Sequence, residues 1–485
     1  MKMKRTLTFY SVLFFISLIL QRGSGIIIKI ILANSISPYD YGLITFVALA
    51  LPSMFQIIVN LNFYNILSHS EEGKKYFGFT LIFTIFLLFL ISTVLFIFRD
   101  SFFTYLNLPQ DGWNLYYIVI VTSLIFISIM TDFQGLYTGL KLYALPGLLV
   151  ILPTIVRLII ILYLIYSGAA SFIAILLVFT LSNAVPLLFI FMSKRLRAHL
   201  SLVRSIEIPT KEIFFFGSAV FITGSFASIG QYIVKIVLSH ELGVLWQGYY
   251  DVSLTLASLI MFTMGTISYI SIPEATNSNK DGIFRAGGLG DVTRAFFAFS
   301  IFLVILLYFY SDYIVVVLFS ENYLSGAKYV FVLAIGFIFL YIQAFLANLN
   351  LSFAKEVRDY LRLGSIPIVL LPLFFFLPKF MIEYFHDLGY DNGFIGAYIS
   401  YTGILILLTL LTIISSKDLS PLRILFYKID RMIASAIITC VIIYYFNPSP
   451  ITGMILAAFV FTGLAIGTGY INKKMLFEIF SSPEK

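Results

Sequence analysis

The stretch FGFTLIFTIFLLFLISTVLFIF, Phe77 to Phe98, carries no charge, no proline and no histidine over its whole length. About 20 apolar residues suffice to cross the hydrocarbon of a bilayer, and a helix that is apolar on every face is buried in protein or in lipid. Lys74 and Lys75 stand just before the run and Arg99 and Asp100 just after it, so charge brackets a segment of membrane length. The rest of the 485 residues repeats this pattern: 60% are hydrophobic and only 11% are Asp, Glu, Lys or Arg, against about 25% in a soluble domain. Too few charges remain to cover a water-exposed surface. The fold class is an all-α integral membrane protein.

Cutting the sequence wherever polar, Gly or Pro clusters interrupt the apolar runs gives fourteen transmembrane helices: 7–33, 42–67, 77–98, 114–140, 146–166, 170–193, 212–238, 247–272, 293–319, 325–351, 363–384, 393–415, 432–446 and 451–471. The first follows Lys2, Lys4 and Arg5. It is too long for a signal peptide and no small-residue cleavage site follows, so it is read as an uncleaved helix. An even number of crossings puts both termini on one side. Twenty-four of the 31 basic residues fall on that side, and only Arg99, Lys328 and Lys379 lie opposite. The positive-inside rule then predicts a multi-pass plasma-membrane protein with both termini cytoplasmic. The net charge of +7 is explained by loops at an anionic leaflet and implies no nucleic-acid partner. SPLRILFYKIDR, from Ser420 to Arg431, reads as a helix lying along the cytoplasmic interface. A lone Cys440 excludes an internal disulfide framework.

The chain also matches itself. At an offset of 206, Lys29-Ile30-Ile31-Leu32 meets Lys235-Ile236-Val237-Leu238, and Gly42 meets Gly248 without a gap. Six helices separate the copies, so two parallel six-helix halves are expected, 1–205 and 206–416. The interfacial segment and two C-terminal helices follow over 417–485.

ILANSISPYDYGL (Ile31 to Leu43), and the passage from Gly248-Tyr249-Tyr250 to Pro273-Glu274, resemble segments of the multidrug/oligosaccharidyl-lipid/polysaccharide (MOP) flippase superfamily. Within it the chain looks like the polysaccharide flippases of the O-antigen, or Wzx-like, type. The resemblance covers most of the chain. It implies a flippase, not an enzyme, that moves a polyprenyl-(pyro)phosphate-linked oligosaccharide from the cytoplasmic to the outer leaflet by alternating access. Such a protein serves cell-surface polysaccharide synthesis, with membrane lipid, other polysaccharide-assembly proteins and Na⁺ or H⁺ as partners. The alternatives are an ion-coupled multidrug exporter of the same superfamily and a membrane glycosyltransferase or polymerase. The major facilitator class also has two six-helix halves, but its Gly/Asp/Arg-rich loop is replaced here by His69-Ser70-Glu71-Glu72-Gly73-Lys74-Lys75.

Four basic residues, Arg22, Lys29, Arg157 and Lys235, fall inside the predicted spans, where a charge facing lipid is costly. Lys29 lies two helical turns beyond Arg22, about 10 Å along the same face. Two readings stand open. The four line a cavity and bind the phosphate of the lipid-linked sugar, through bidentate Arg and point-charge Lys contacts, or they are structural ion-pair members, with Asp251 the candidate partner of Lys29 or Lys235. Asp132 and Asp251 are the candidates for ion coupling. Gln56, Asn60, Asn62, Gln134, Gln343, Asn348 and Asn350 could bond sugar hydroxyls or simply their helical neighbours.

Catalysis finds no support. His69, His199, His240 and His386 lack metal-binding spacing, and there is no Walker A sequence, no Gly-x-Ser-x-Gly and no cysteine beside a histidine. No cofactor or metal is expected.

Overall fold

The computed structural model describes residues 20, 23–60, 63–68, 71–142, 144–204, 206–261, 287–353, 357–416, 419, 422 and 425–471. Every predicted run overlaps a helix among the described residues: α1 (Gly23–Ser35), α2 (Pro38–Asn60), α3 (Phe77–Ile97), α4 (Trp113–Gly139), α5 (Ala144–Tyr166), α6 (Phe172–Met192) and α7 (Lys211–Leu242). They continue as α8 (Val244–Ala257), α9 (Gly287–Phe319), α10 (Val330–Phe353), α11 (Gly364–Asp387), α12 (Ile395–Ser415), α13 (Ile429–Phe446) and α14 (Pro450–Gly467). Eleven of the described helices are long and apolar enough to cross a membrane. Most of the first run before Gly23, the end of the eighth, Pro273-Glu274 and much of Ser420 to Arg431 lie outside the described residues.

Lipid contact is written in the exposed side chains. Phe86, Phe89, Phe96 and Ile97 of α3, and Ile433, Ile437 and Val441 of α13, are all exposed. Such a surface is stable only in hydrocarbon.

The chain forms two compact units, Met1–Asp251 with Ile382–Phe394, and Val252–Met381 with Ile395–Lys485. In the second, α10 and α12 are pinned by two threonines two turns apart. Thr402 Oγ1 donates to Val332 O at 2.8 Å and Thr409 Oγ1 to Phe339 O at 2.9 Å, bonds that replace the hydrophobic drive missing between helices in lipid.

The first unit contains the repeat contact. Helix α2 starts at Pro38 and α8 at Val244, positions 206 apart, like Gly42 and Gly248. A Cβ on Gly42 would lie 2.5 Å from Val244 O and 3.1 Å from Gly248 N; one on Gly248 would lie 2.8 Å from Pro38 O and 3.1 Å from Gly42 Cα. Each glycine therefore faces the carbonyl one turn before the other, the pattern of a local two-fold axis. Glycine is required because the two backbones touch. Ser37 opens α2 by accepting from Asp40 N at 3.1 Å, with Pro38 in the first turn, the chemistry of a firm helix start. Beyond Gly42 the helix widens into a π segment over Thr45–Ala50, a distortion often seen at functional sites.

Gly42→Ala or Gly248→Ala should destabilise the protein by about 1–3 kcal/mol through overpacking, read as a lower unfolding temperature in detergent. Gly403→Ala, whose Cβ would meet nothing within 4 Å, should be neutral or stabilising. Equal behaviour of all three variants would remove the special role of the contact.

Candidate functional site

Just inside the repeat contact, four helices deliver one charged cluster. Lys29 comes from α1, Tyr41 from α2, Lys235 from α7 and Asp251 from α8. Asp251 is 1% exposed and Lys235 5% exposed. Asp251 Oδ1 pairs with Lys235, while Oδ2 lies 2.8 Å from Lys29 Nζ and accepts from Tyr41 Oη at 2.9 Å. The structure thus brings Lys29 and Lys235 together, as their matching positions suggested, and it does so on Asp251. Two ammonium groups and one carboxylate carry a formal charge of +1. Such a buried cluster holds because each charge has a close counter-charge or hydrogen bond in a medium that screens weakly. Asp251 breaks the local two-fold relation: its counterpart 206 residues earlier is Thr45, whose hydroxyl donates to Tyr41 O at 2.9 Å.

Beside this cluster lies a cavity of about 480 Å³, lined by Ser53, Gln56, Ile57 and Asn60 of α2, Tyr64 and Asn65 of the short helix Phe63–Ser68, Thr131 of α4, and Phe221, Ser225, Ser228 and Tyr232 of α7. The spacings follow one face of each long helix: 53, 56, 57 and 60 on α2, and 221, 225, 228 and 232 on α7. Serines at two of the α7 positions leave the space open. Apart from Ile57 and Phe221, the described lining residues bear hydroxyls, amides or phenols, and none carries a formal charge. Tyr232 joins the two features, since its phenol interacts with Ser53 and feels the charge of Asp251, three residues before Lys235.

The other expected site residues divide. Arg22 lies outside the described residues. Arg157 is turned onto α6: Nε donates to Ser182 Oγ at 3.1 Å, and one terminal nitrogen donates to Phe179 O at 3.3 Å and Asn183 Oδ1 at 3.0 Å. Its guanidinium also covers the Phe179 ring at 4.4 Å. Helix α6 is interrupted after Ser182 and resumes at Val185 with Pro186 in its first turn. A proline cannot continue the amide ladder, and Arg157 binds the carbonyl and side chains exposed at the break. Asp132 of α4 is fully buried and accepts from Asn60 Nδ2 at 3.1 Å. Of the amides considered from sequence, Gln56 and Asn60 line the cavity. Asn350 bonds Leu346 O and Ser416 Oγ, and Asn62 lies outside the described residues. Sequence reasoning missed Ser53, Ser225, Ser228 and Tyr232; small or polar groups recurring every three to four residues in an apolar span were the available signal.

No protein-family model matches the chain, and no curated protein matches it. Solved structures do. The lipid II flippase MurJ in an inward closed conformation aligns with TM-score 0.61 at 14% identity, over 94% of this chain and 98% of that one. An inward-facing multidrug resistance MATE family transporter of the MOP superfamily aligns with TM-score 0.57 at 12% identity, over 81% and 93%. A mutant of the Vibrio cholerae MATE transporter VcmN gives TM-score 0.52 at 12% identity, over 84% and 94%. At these identities the likeness is one of fold: this multi-pass membrane protein has the fold of the MOP superfamily.

Asp251→Asn should be severely destabilising, by about 3–5 kcal/mol, because it leaves two lysines without their shared carboxylate. Adding Lys235→Met to that variant should restore part of the loss, as followed by thermal unfolding in detergent. Strictly additive losses would rule out the coupling described.

Proposed function

We propose that the protein is a flippase that carries a polyprenyl-phosphate- or pyrophosphate-linked oligosaccharide from the cytoplasmic to the outer leaflet of the plasma membrane, for cell-surface polysaccharide synthesis. Transport proceeds by alternating access between the six-helix halves 1–205 and 206–416. The observation that carries this reading is the uncharged polar cavity of about 480 Å³ set against the Lys29, Lys235 and Asp251 cluster. Hydroxyls and amides on several helices suit sugar hydroxyls, and two ammonium groups nearby suit the phosphate.

The two lysines already share Asp251, so head-group capture is an exchange. A diphosphate brings more negative charge than one carboxylate and competes for both ammonium groups. Arg22, seven residues before Lys29 in the sequence, is proposed as a further head-group ligand, and Arg157 supports the path by fixing the α6 break. The prenyl chain stays in lipid, where its transfer needs no protein cavity. An exporter of cationic drugs would be better served by a carboxylate in the cavity wall, and the described wall has none.

In proteoliposomes holding a labelled polyprenyl-diphosphate oligosaccharide, the protein should expose the glycan to an impermeant reagent on the far leaflet. Gln56→Leu and Ser228→Leu, which fill the cavity with apolar atoms, should slow this by about tenfold or more, the scale on which sites built to bond hydroxyls discriminate. Export of organic cations without any movement of the glycan lipid would refute the reading.

A further inference from the structure

The second unit carries a groove of about 800 Å³ between α9 and α13, beside the start of α10. Tyr308 and Asp312, four residues apart on α9, line it together with Cys440, Tyr444 and Tyr445 of α13, and residues four or five apart share one face of a helix. Phe331 of α10 packs edge to face on Tyr308, with ring centres 5.2 Å apart. Lys328, two residues before α10, adds an ammonium group to the lining. Tyr308, Tyr444 and Tyr445 are exposed, so the groove opens on the lipid-facing side of these helices.

The charges in this groove lie at a definite depth. Arg294 begins the apolar span of α9, and Asp312, 18 positions later, is the next charged residue. That separation is about 27 Å of helix, close to the roughly 30 Å of hydrocarbon in a bilayer. Helix α13 likewise has no charge between Arg431 and its end at Phe446. Asp312, the end of α13 and Lys328, in the connection that follows α9, therefore share the membrane boundary away from Arg294 and Arg431. Head groups lie at that level, with acyl chains directly below.

Tyrosines at a membrane boundary are ordinary belt residues. The belt alone does not call for an acidic and a basic residue, both exposed, in one concave wall. A flat apolar face accepts any lipid, whereas this groove offers a carboxylate, an ammonium group and three phenol rings to the head group and apolar side chains to the chains. The two formal charges cancel, so a head group that itself carries both signs is matched and an anionic one is opposed by Asp312. An ammonium is attracted by a carboxylate and by the faces of tyrosine rings, and a phosphate by lysine. A polyprenyl diphosphate has no cationic group for Asp312.

We propose that the groove binds one zwitterionic phospholipid, its amine held by Asp312 and the tyrosine rings and its phosphate by Lys328. The site is separate from the path of the transported molecule and does not depend on what that molecule is. Its volume lies in the range of small-ligand sites, enough for a head group and the upper part of its chains.

Cys440, the one cysteine of the chain, lines the groove and serves as a built-in reporter. The purified full-length protein in mild detergent is mixed with phosphatidylethanolamine, phosphatidylcholine or phosphatidylglycerol of equal acyl composition. Retained lipid is counted by native mass spectrometry, and the rate of Cys440 alkylation by a maleimide is followed. Either amine lipid is expected to remain bound at one per chain and to slow alkylation saturably and several-fold, with phosphatidylglycerol far less effective. Asp312→Asn, which leaves the lysine alone, should turn the preference toward phosphatidylglycerol. Lys328→Gln should weaken retention of the amine lipids several-fold. Both residues are exposed, so the lipid-free variants should unfold at the temperature of the parent protein. Equal protection by all three lipids, the mark of an unselective lipid shell, would overturn the proposal. So would an unchanged preference in Asp312→Asn, or the retention of no lipid.

Discussion

Two backbones touching at Gly42 and Gly248 set the terms for everything near the candidate site. With no Cβ at either position, α2 and α8 approach closely enough for each glycine to face the other helix's carbonyl. The helices that precede them, α1 and α7, are brought in by turns at equivalent positions. Lys29 and Lys235, thirteen residues before each glycine, are then carried to one place. Two like charges held together by a fold's own symmetry repel, and the sequence departs from the repeat at a position from which a counter-charge reaches both, Asp251 in place of Thr45. The charged cluster follows from the glycine contact.

The first unit shows three ways of keeping a charge inside a membrane helix. The two lysines share one carboxylate, which offsets half of their charge. Arg157 is placed against a break in α6, where a fork of donors meets a freed carbonyl, a hydroxyl and an amide; Lys could not span those acceptors with one nitrogen. Asp132 is held by neutral donors alone, the Asn60 amide and the Thr84 hydroxyl. The first two arrangements are closed, each charge facing an opposite charge or a set of acceptors.

Much of this was legible in the sequence, and the reason is the solvent. Lipid forbids unpaired backbone, so every apolar run of membrane length had to be a helix, and Phe77 to Phe98 could be read without knowing its neighbours. The link between Lys29 and Lys235 was legible because a polar residue in an apolar span has few chance matches. What the chosen acceptors would be was not legible. Arg157 could equally have faced a cavity, and the interruption at Asn183 that claims it depends on how α5 and α6 lie against each other. Tyr41 sits in a motif noticed for its glycine, and nothing along the chain marks its hydroxyl as a third ligand of Asp251. The cavity was the least legible feature, because its walls are common residues such as Ser225 and Ser228, and only packing decides whether a serine face encloses space or fills it.

The size of the cavity constrains the proposed transport step. About 480 Å³ lies in the range of small-molecule sites, too small to enclose an oligosaccharide together with its diphosphate. Under the proposed function the wall would hold the sugars nearest the phosphate, and the remaining glycan would occupy water on whichever side is open. This suits a carrier whose glycan varies at its far end, since specificity then resides in the linkage region that every substrate of the pathway shares. It also places the work of crossing on the charged head group. Neutral sugars in a polar cavity exchange water for hydrogen bonds at little net gain, whereas a diphosphate entering hydrocarbon needs counter-charge at each stage. In the proposed step, a lysine pair that shares Asp251 would release and recover that counter-charge within one cluster, so neither the loaded nor the empty protein would strand two bare ammonium groups in the membrane.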